Sequence, residues 1–399
     1  MSKKKKLIPE LRFPEFKNEG EWEIKSIGDI AISQSSSMAL NKLELKSNGY
    51  PVYGADSIVG FIDEHQQSEK YISIVKDGSG VGRLKLCQSY SSILGTLTCL
   101  KSKNNKQYHL DWLYYLLTTV DFSVYVKGAG IPHIYFSDFK NQNVPIPNPK
   151  EQQKVAFCLS SLDELIEAHS QKLDLLKVHK NGLMQNLFPI EGEKVPKYRF
   201  PEFKKDEVWT EKSLDEVATI LKGKGISKAD IVEDGDLPCI RYGELYTHYK
   251  ETIRTVKSYT NSNAEDLVLS KANDVIIPAS GETQIDIATA SCVLESGIAL
   301  GGDLNIIRSK INGVFLSYYL NNAKKHDIAQ MAQGIAVVHL YPNQLKTLKL
   351  KIPNPKEQQK IALCLSTLEE IITELTEKIE QLKQHKNGLM QGLFPKMID

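Results

Sequence analysis

Gly78-Ser79-Gly80-Val81-Gly82 has the composition of a loop that cradles phosphate. It lacks the lysine and Ser/Thr pair of a P-loop and the full G-x-G-x-x-G spacing, and no βαβ pattern surrounds it, so it reads as a glycine-rich turn. Asp29 with Glu44-Leu45-Lys46 has the residue types of a nuclease metal site, but the related second half of the chain has Ile231-Val232-Glu233 at that place. No Asn-Pro-Pro-aromatic tract of an amino-methyltransferase occurs, nor an adenosylmethionine loop. His133 and His339 have no carboxylate or cysteine cluster near them in sequence, so a metal is not expected; each either fixes a loop or touches a ligand. The 6 cysteines include no CxxC pair, which suits reduced thiols and a cytoplasmic location. With no catalytic constellation, no cofactor site and no metal site in view, the expectation is a binding protein that is not itself an enzyme.

Composition agrees. The 50 Lys plus Arg against 49 Asp plus Glu leave +1, which excludes a globally basic nucleic-acid coat but not local patches. Apolar runs such as Val275-Ile276-Ile277 fall far short of the ~20 residues that span a bilayer, so no membrane partner is expected. The start Met1-Ser2-Lys3-Lys4-Lys5-Lys6 is positive, with no apolar stretch after it to make a secretory signal.

The elements that position any site are set by a duplication. Arg12-Phe13-Pro14-Glu15-Phe16-Lys17 recurs as Arg199-Phe200-Pro201-Glu202-Phe203-Lys204, and Trp22 as Trp209, 187 residues on. Ile146 to Pro189 recurs as Ile352 to Pro395, 206 residues on, with 29 of 44 positions identical. Between these ends the interiors barely resemble each other, and the second is 19 residues longer. A repeat of this length is a duplicated domain with its connector, not a solenoid unit. The expected boundaries are 1–147 and 190–353 for the variable domains, with 148–189 and 354–399 for the kept segments.

The kept segments read as helices with a heptad seam. It runs through Leu159, Leu162, Ile166, Leu173 and Leu176 in the first, and through Leu365, Leu368, Ile372, Leu375, Ile379 and Leu382 in the second. Each begins with an Asn cap, a proline at the first helical position and a glutamate placed for a capping box: Asn148, Pro149, Glu151 and Asn354, Pro355, Glu357. Gly182 and Gly388 either close the helices or kink helices that run on. A lysine stands on both seams, Lys180 and Lys386, as a snorkelling side chain or as a register device. One seam needs a partner, so the two helices are expected to pair with each other.

The variable domains read as α+β. Short strands (Tyr71 to Val75, Ser91 to Leu100, Asp274 to Pro278, Asn305 to Arg308) accompany one helical stretch each, Leu113 to Leu116 and Leu316 to Leu320. A Gly–His loop follows in both, Gly128 to His133 and Gly334 to His339. Basic side chains on such loops suit phosphate and base-edge contact: Lys76, Arg83 and Lys127 in the first domain, Lys222, Lys224, Arg241 and Arg254 in the second.

At this point the chain resembles the specificity subunits of type I restriction–modification systems. The resemblance rests on Pro147-Asn148-Pro149-Lys150-Glu151-Gln152 and its copy Pro353 to Gln358, on Tyr50-Pro51-Val52-Tyr53-Gly54, on Gly128-Ala129-Gly130-Ile131-Pro132-His133, and on Gly235 to Arg241. It implies two target-recognition domains in tandem, each followed by a long helix, the helices pairing as an antiparallel coiled coil. It implies that each domain reads half of a bipartite, asymmetric site on double-stranded DNA, with Tyr53, His133 and His339 joining the basic residues above. Two modification (methyltransferase) subunits would dock on this chain and supply adenine-N6 methylation; restriction subunits would supply the translocase and nuclease. A coiled-coil scaffold or adaptor whose variable domains bind proteins is the alternative, as is a member paired with a different methyltransferase.

Overall fold

A computed structural model describes residues 7–334 and 337–395. The lysine-rich start at Lys3 to Lys6, and Ile335 and Ala336 of the second Gly–His loop, lie outside the described residues. The chain forms two compact units: Met1–Ser170 with Glu377–Asp399, and Gln171–Thr376. Both boundaries fall inside the long helices, Pro149–Leu187 and Pro355–Leu393, so each unit contains the start of one helix and the end of the other.

In unit 1 an antiparallel four-stranded sheet runs in the order Ala31–Ser35, Leu97–Ser102, Tyr71–Val75, Leu84–Cys87. A second sheet joins Ile58–Ile62, Tyr50–Tyr53 and Ser92–Ile93. Helix Leu110–Thr118 covers the first sheet and buries Trp112, Leu113, Leu116 and Leu117. Unit 2 repeats the plan with five strands: Ala218–Lys222, Leu304–Ser309, Asp274–Pro278, Ser291–Val293 and Thr252–Ile253. Helix Gly313–Asn321 covers them. In each unit a two-stranded ribbon leads straight into a long helix: Glu23–Ser26 with Asn143–Ile146, and Thr210–Ser213 with Lys349–Ile352. Ser91 to Leu100, expected as one strand, is two; the chain turns at Leu94–Thr96, where Gly95 N–H donates to Met38 O.

The helix entrances differ from the expected capping box. Asn148 and Asn354 cap as expected, accepting from the N–H of Glu151 and Glu357 at 3.0 Å. The glutamate side chains do not turn back to the cap. Glu151 takes two hydrogen bonds of 2.8 Å from Arg12, and Glu357 takes two from Arg199 at 2.8 and 2.7 Å. The next residue is a second bolt. Gln152 accepts from His109 N–H and donates to Pro147 O; Gln358 accepts from Asn312 N–H and donates to Pro353 O. The Glu-Gln pair therefore fastens each long helix to the Arg-Phe-Pro segment on one side and to the covering helix on the other.

Within each unit the two helix portions run antiparallel. In unit 1 Val155 and Leu159 share a core with Leu389, Leu393 and Phe394, while Lys386 reaches Asp163 at 2.5 Å. In unit 2 Leu187 and Phe188 share a core with Ile361 and Leu365, while Lys180 reaches Glu369 at 2.6 Å. Leu159, Leu173, Leu365, Leu368, Ile372, Ile379 and Leu382 are buried; Leu162, Ile166, Leu176 and Leu375 are half-buried. Both helices run on past Gly182 and Gly388, which do not close them. The seam lysines are partly buried ion-pair partners, and each also lies over a tyrosine of the helix that covers the sheet of its own unit, Tyr318 for Lys180 and Tyr115 for Lys386.

Candidate nucleic-acid interface

In unit 1 the backbone stitches the glycine turn and the Gly–His loop into one edge. Strand Tyr71–Val75 continues through Lys76 and Asp77 into the turn at Gly78–Gly82, closed by Gly82 N–H on Val75 O. Gly78 N–H donates to Pro132 O at 2.9 Å and Ile134 N–H to Lys76 O at 2.8 Å. The loop closes on itself through paired hydrogen bonds between Lys127 and His133. Gly128 has φ +89°, and a Cβ there would meet Ile131 O at 2.5 Å, so only glycine fits.

This edge gathers Lys76, Arg83, Lys127 and His133. All four are already engaged, Lys76 with the neighbouring Asp77 at 4.0 Å. Arg83 is paired with Asp56, Lys127 donates to Asp138 at 2.6 Å, and His133 Nδ1 donates to Ile131 O at 3.3 Å. The Lys127 hydrogen bond, with the Tyr135 N–H behind it, holds the Asp138 carboxyl below its ordinary value. An arriving phosphate would exchange these carboxylates for itself. Tyr53 lies elsewhere, buried under the Lys85 ammonium in the small core of the three-stranded sheet.

Unit 2 repeats the stitching with other side chains. Ser280–Gly281 pairs with Val338–His339, Leu340 N–H donates to Ala279 O at 3.0 Å, and Gln333 pairs with His339 as Lys127 does with His133. Ser280 Oγ and His339 Nδ1 are 3.2 Å apart. A Cβ on Gly334 would meet Val337 O at 2.1 Å. Lys222 and Lys224 are exposed beside this edge: Gly223 N–H donates to Leu304 O, and the neighbouring Asp303 O accepts from Ala279. Arg241 turns to Glu244 at 3.5 Å, and Arg254 is paired with Glu370 of the long helix, away from the edge.

Sequence reasoning missed the exposed apolar and aromatic side chains here. Ile131 and Tyr135, and their counterparts Val337 and Tyr341, stand open beside the two histidines. The 206-residue offset was the available signal. Among the described residues no group of three or more His, Cys, Asp or Glu is placed to hold a metal, and no helix is long and apolar enough to cross a membrane.

Two divergent α+β domains with the same loop edge, each bolted to a long helix by the same pair of residues, define a tandem recognition protein. The chain belongs to the type I restriction modification DNA specificity domain family, whose sequence profile matches residues 19–178 and again 206–384. Relatives include the type I restriction enzyme MjaVIII specificity subunit of Methanocaldococcus jannaschii, 26% identical over 96% of this chain and 93% of that protein. The putative specificity subunit S.HindORF215P of Haemophilus influenzae is 24% identical over 90% of each. The crystal structure of the type I restriction–modification S subunit from M. genitalium shares the fold, with TM-score 0.72 at 17% identity, covering 98% of this chain and all of that one. Family membership does not favour the adaptor alternative.

Proposed function

We propose that this chain is the DNA-reading subunit of a type I restriction–modification complex. Each domain reads one half of a bipartite, asymmetric site, and the helices set the spacer between the halves. The observation that carries this reading is one loop edge built twice with different side chains. Lys76, Asp77 and Lys127 of the first domain stand where the second has Ala279, Ser280 and Gln333, on the same hydrogen-bonded backbone. A common scaffold with altered donors and acceptors suits two base sequences read by one mechanism.

The chain itself contributes binding; methyl transfer to adenine N6 and ATP-driven restriction belong to partner subunits. A pair of modification subunits is supported by apolar side chains exposed at repeat-matched helix positions, Phe157 with Leu363 and Leu165 with Ile371. Matched patches on two repeats suit two copies of one partner.

The test is N6-methyladenine mapping in a host that expresses this chain with its modification subunit. A bipartite motif should appear, and exchanging residues 23–145 for those of a relative should alter one half of it only. Alteration of both halves would overturn independent half-site reading.

A further inference from the structure

The two Gly–His loops end in the same kind of tip. Ile131, His133 and Tyr135 stand 206 positions before Val337, His339 and Tyr341. Ile131 is 70% exposed and Tyr135 48%; Val337 and Tyr341 are each 51% exposed. The rings of His133 and Tyr135 lie 5.4 Å apart, those of His339 and Tyr341 6.1 Å. Each tyrosine is fixed at its root, its N–H donating to Asp138 at 2.8 Å or to Gln344 at 2.7 Å. These side chains add little to either core, yet they recur in domains whose interiors otherwise diverge. Domains that read different sequences cannot discriminate with the same side chains. What they share must touch something common to both half-sites.

We propose that the two tips make the DNA contact that is independent of sequence, with tyrosine ring and aliphatic side chain packed against sugar or an unstacked base step, while the differing neighbours discriminate. This rests on the reading above that the domains bind DNA. Aromatic rings and apolar wedges accept any base, because every base has a π-face. The occupant is a duplex because cations flank both tips: Lys76, Arg83 and Lys127 in unit 1, Lys222 and Lys224 in unit 2. A shared protein partner has its own matched surface on the long helices.

The experiment uses the full chain in complex with its modification subunit, carrying Tyr135→Ala or Tyr341→Ala. Affinity is measured on a duplex with the mapped site and on an unrelated duplex. Each variant should lose about tenfold on both duplexes, as one stacking contact implies. Tyr→Phe should restore binding, while the melting temperature and the methylated sequence stay unchanged. Unchanged affinity, an altered half-site, or loss of the modification subunit in place of DNA would each overturn the proposal. A wild-type complex that binds no DNA would instead overturn the DNA reading on which it rests.

Discussion

Arg12 and Glu151, 139 positions apart, meet through two hydrogen bonds of 2.8 Å with side chains only 6% and 1% exposed. The remaining guanidinium nitrogen donates to Glu19 O and Gly20 O, so one arginine ties the N-terminal segment, the turn before Trp22 and the long helix together. Arg199 and Glu357 do the same in unit 2. Leaving a buried carboxylate without its partner costs about 3–5 kcal/mol. Arg12→Ala should therefore lower the unfolding transition of unit 1, and Arg199→Ala that of unit 2. Calorimetry of the two variants checks this; a shift under 1 °C in both would refute it.

The duplication, the long helices, their caps and the principal strands were legible because each rests on local pattern or on identity between copies. The Arg12–Glu151 bolt was not. Glutamate three residues after an asparagine cap satisfies a local rule, and nothing nearby in sequence announces a competing arginine. The basic loop residues were found by type, but the partners that engage them, Asp56 for Arg83 and Glu370 for Arg254, come from folding. Tyr53 followed a family motif into the core, on a strand whose Pro51, Val52 and Tyr53 are all buried.

The two seam lysines should differ in cost. Lys180 pairs with Glu369, which is 11% exposed, whereas Asp163, the partner of Lys386, is 40% exposed and also accepts from Tyr115 OH at 2.7 Å. Lys180→Met should destabilise by about 2 kcal/mol, with Lys250 left to serve Glu369. Lys386→Met should cost under about 1 kcal/mol, since water reaches Asp163. Denaturant unfolding measures both, and equal losses would contradict the argument.

Glu369 also predicts an acid response. Burial raises its carboxyl, but hydrogen bonds from Lys180 and Lys250 outweigh burial and hold it below its ordinary 4.5. A carboxyl lowered in the folded state stabilises fully above its unfolded value and loses that contribution as pH falls through the folded one. Stability should fall as pH drops below about 4.5, and it should fall less steeply in Lys180→Met. Parallel pH profiles for the two proteins would show that the pair does not titrate this way.

At the loop edge, Asp56 restrains Arg83, and both are exposed. Arg83→Ala should reduce the slope of log affinity against log salt by about 0.9, the value of one phosphate contact. Asp56→Ala should keep the slope and tighten binding, because the arginine no longer leaves a carboxylate to meet phosphate. An unchanged slope in Arg83→Ala would remove Arg83 from the interface.

The helices as a spacer gauge can be tested where unit 1 gives way to unit 2. Those boundaries fall after Ser170 in the first long helix and after Thr376 in the second, positions one repeat apart. Four residues inserted at both places keep the antiparallel partners matched on either side and lengthen the pair by ~6 Å. That equals about two steps of the ~3.4 Å base-pair rise. Four residues also place a stutter in the heptads, so some stability is lost. Neither insertion touches a recognition domain or the Glu-Gln bolts that hold it. Methylation mapping should then show both original half-sites with a spacer longer by about two base pairs. An active complex whose spacer is unchanged would mean that the distance between half-sites is set elsewhere, and that the long helices serve only to hold the domains and their partners together.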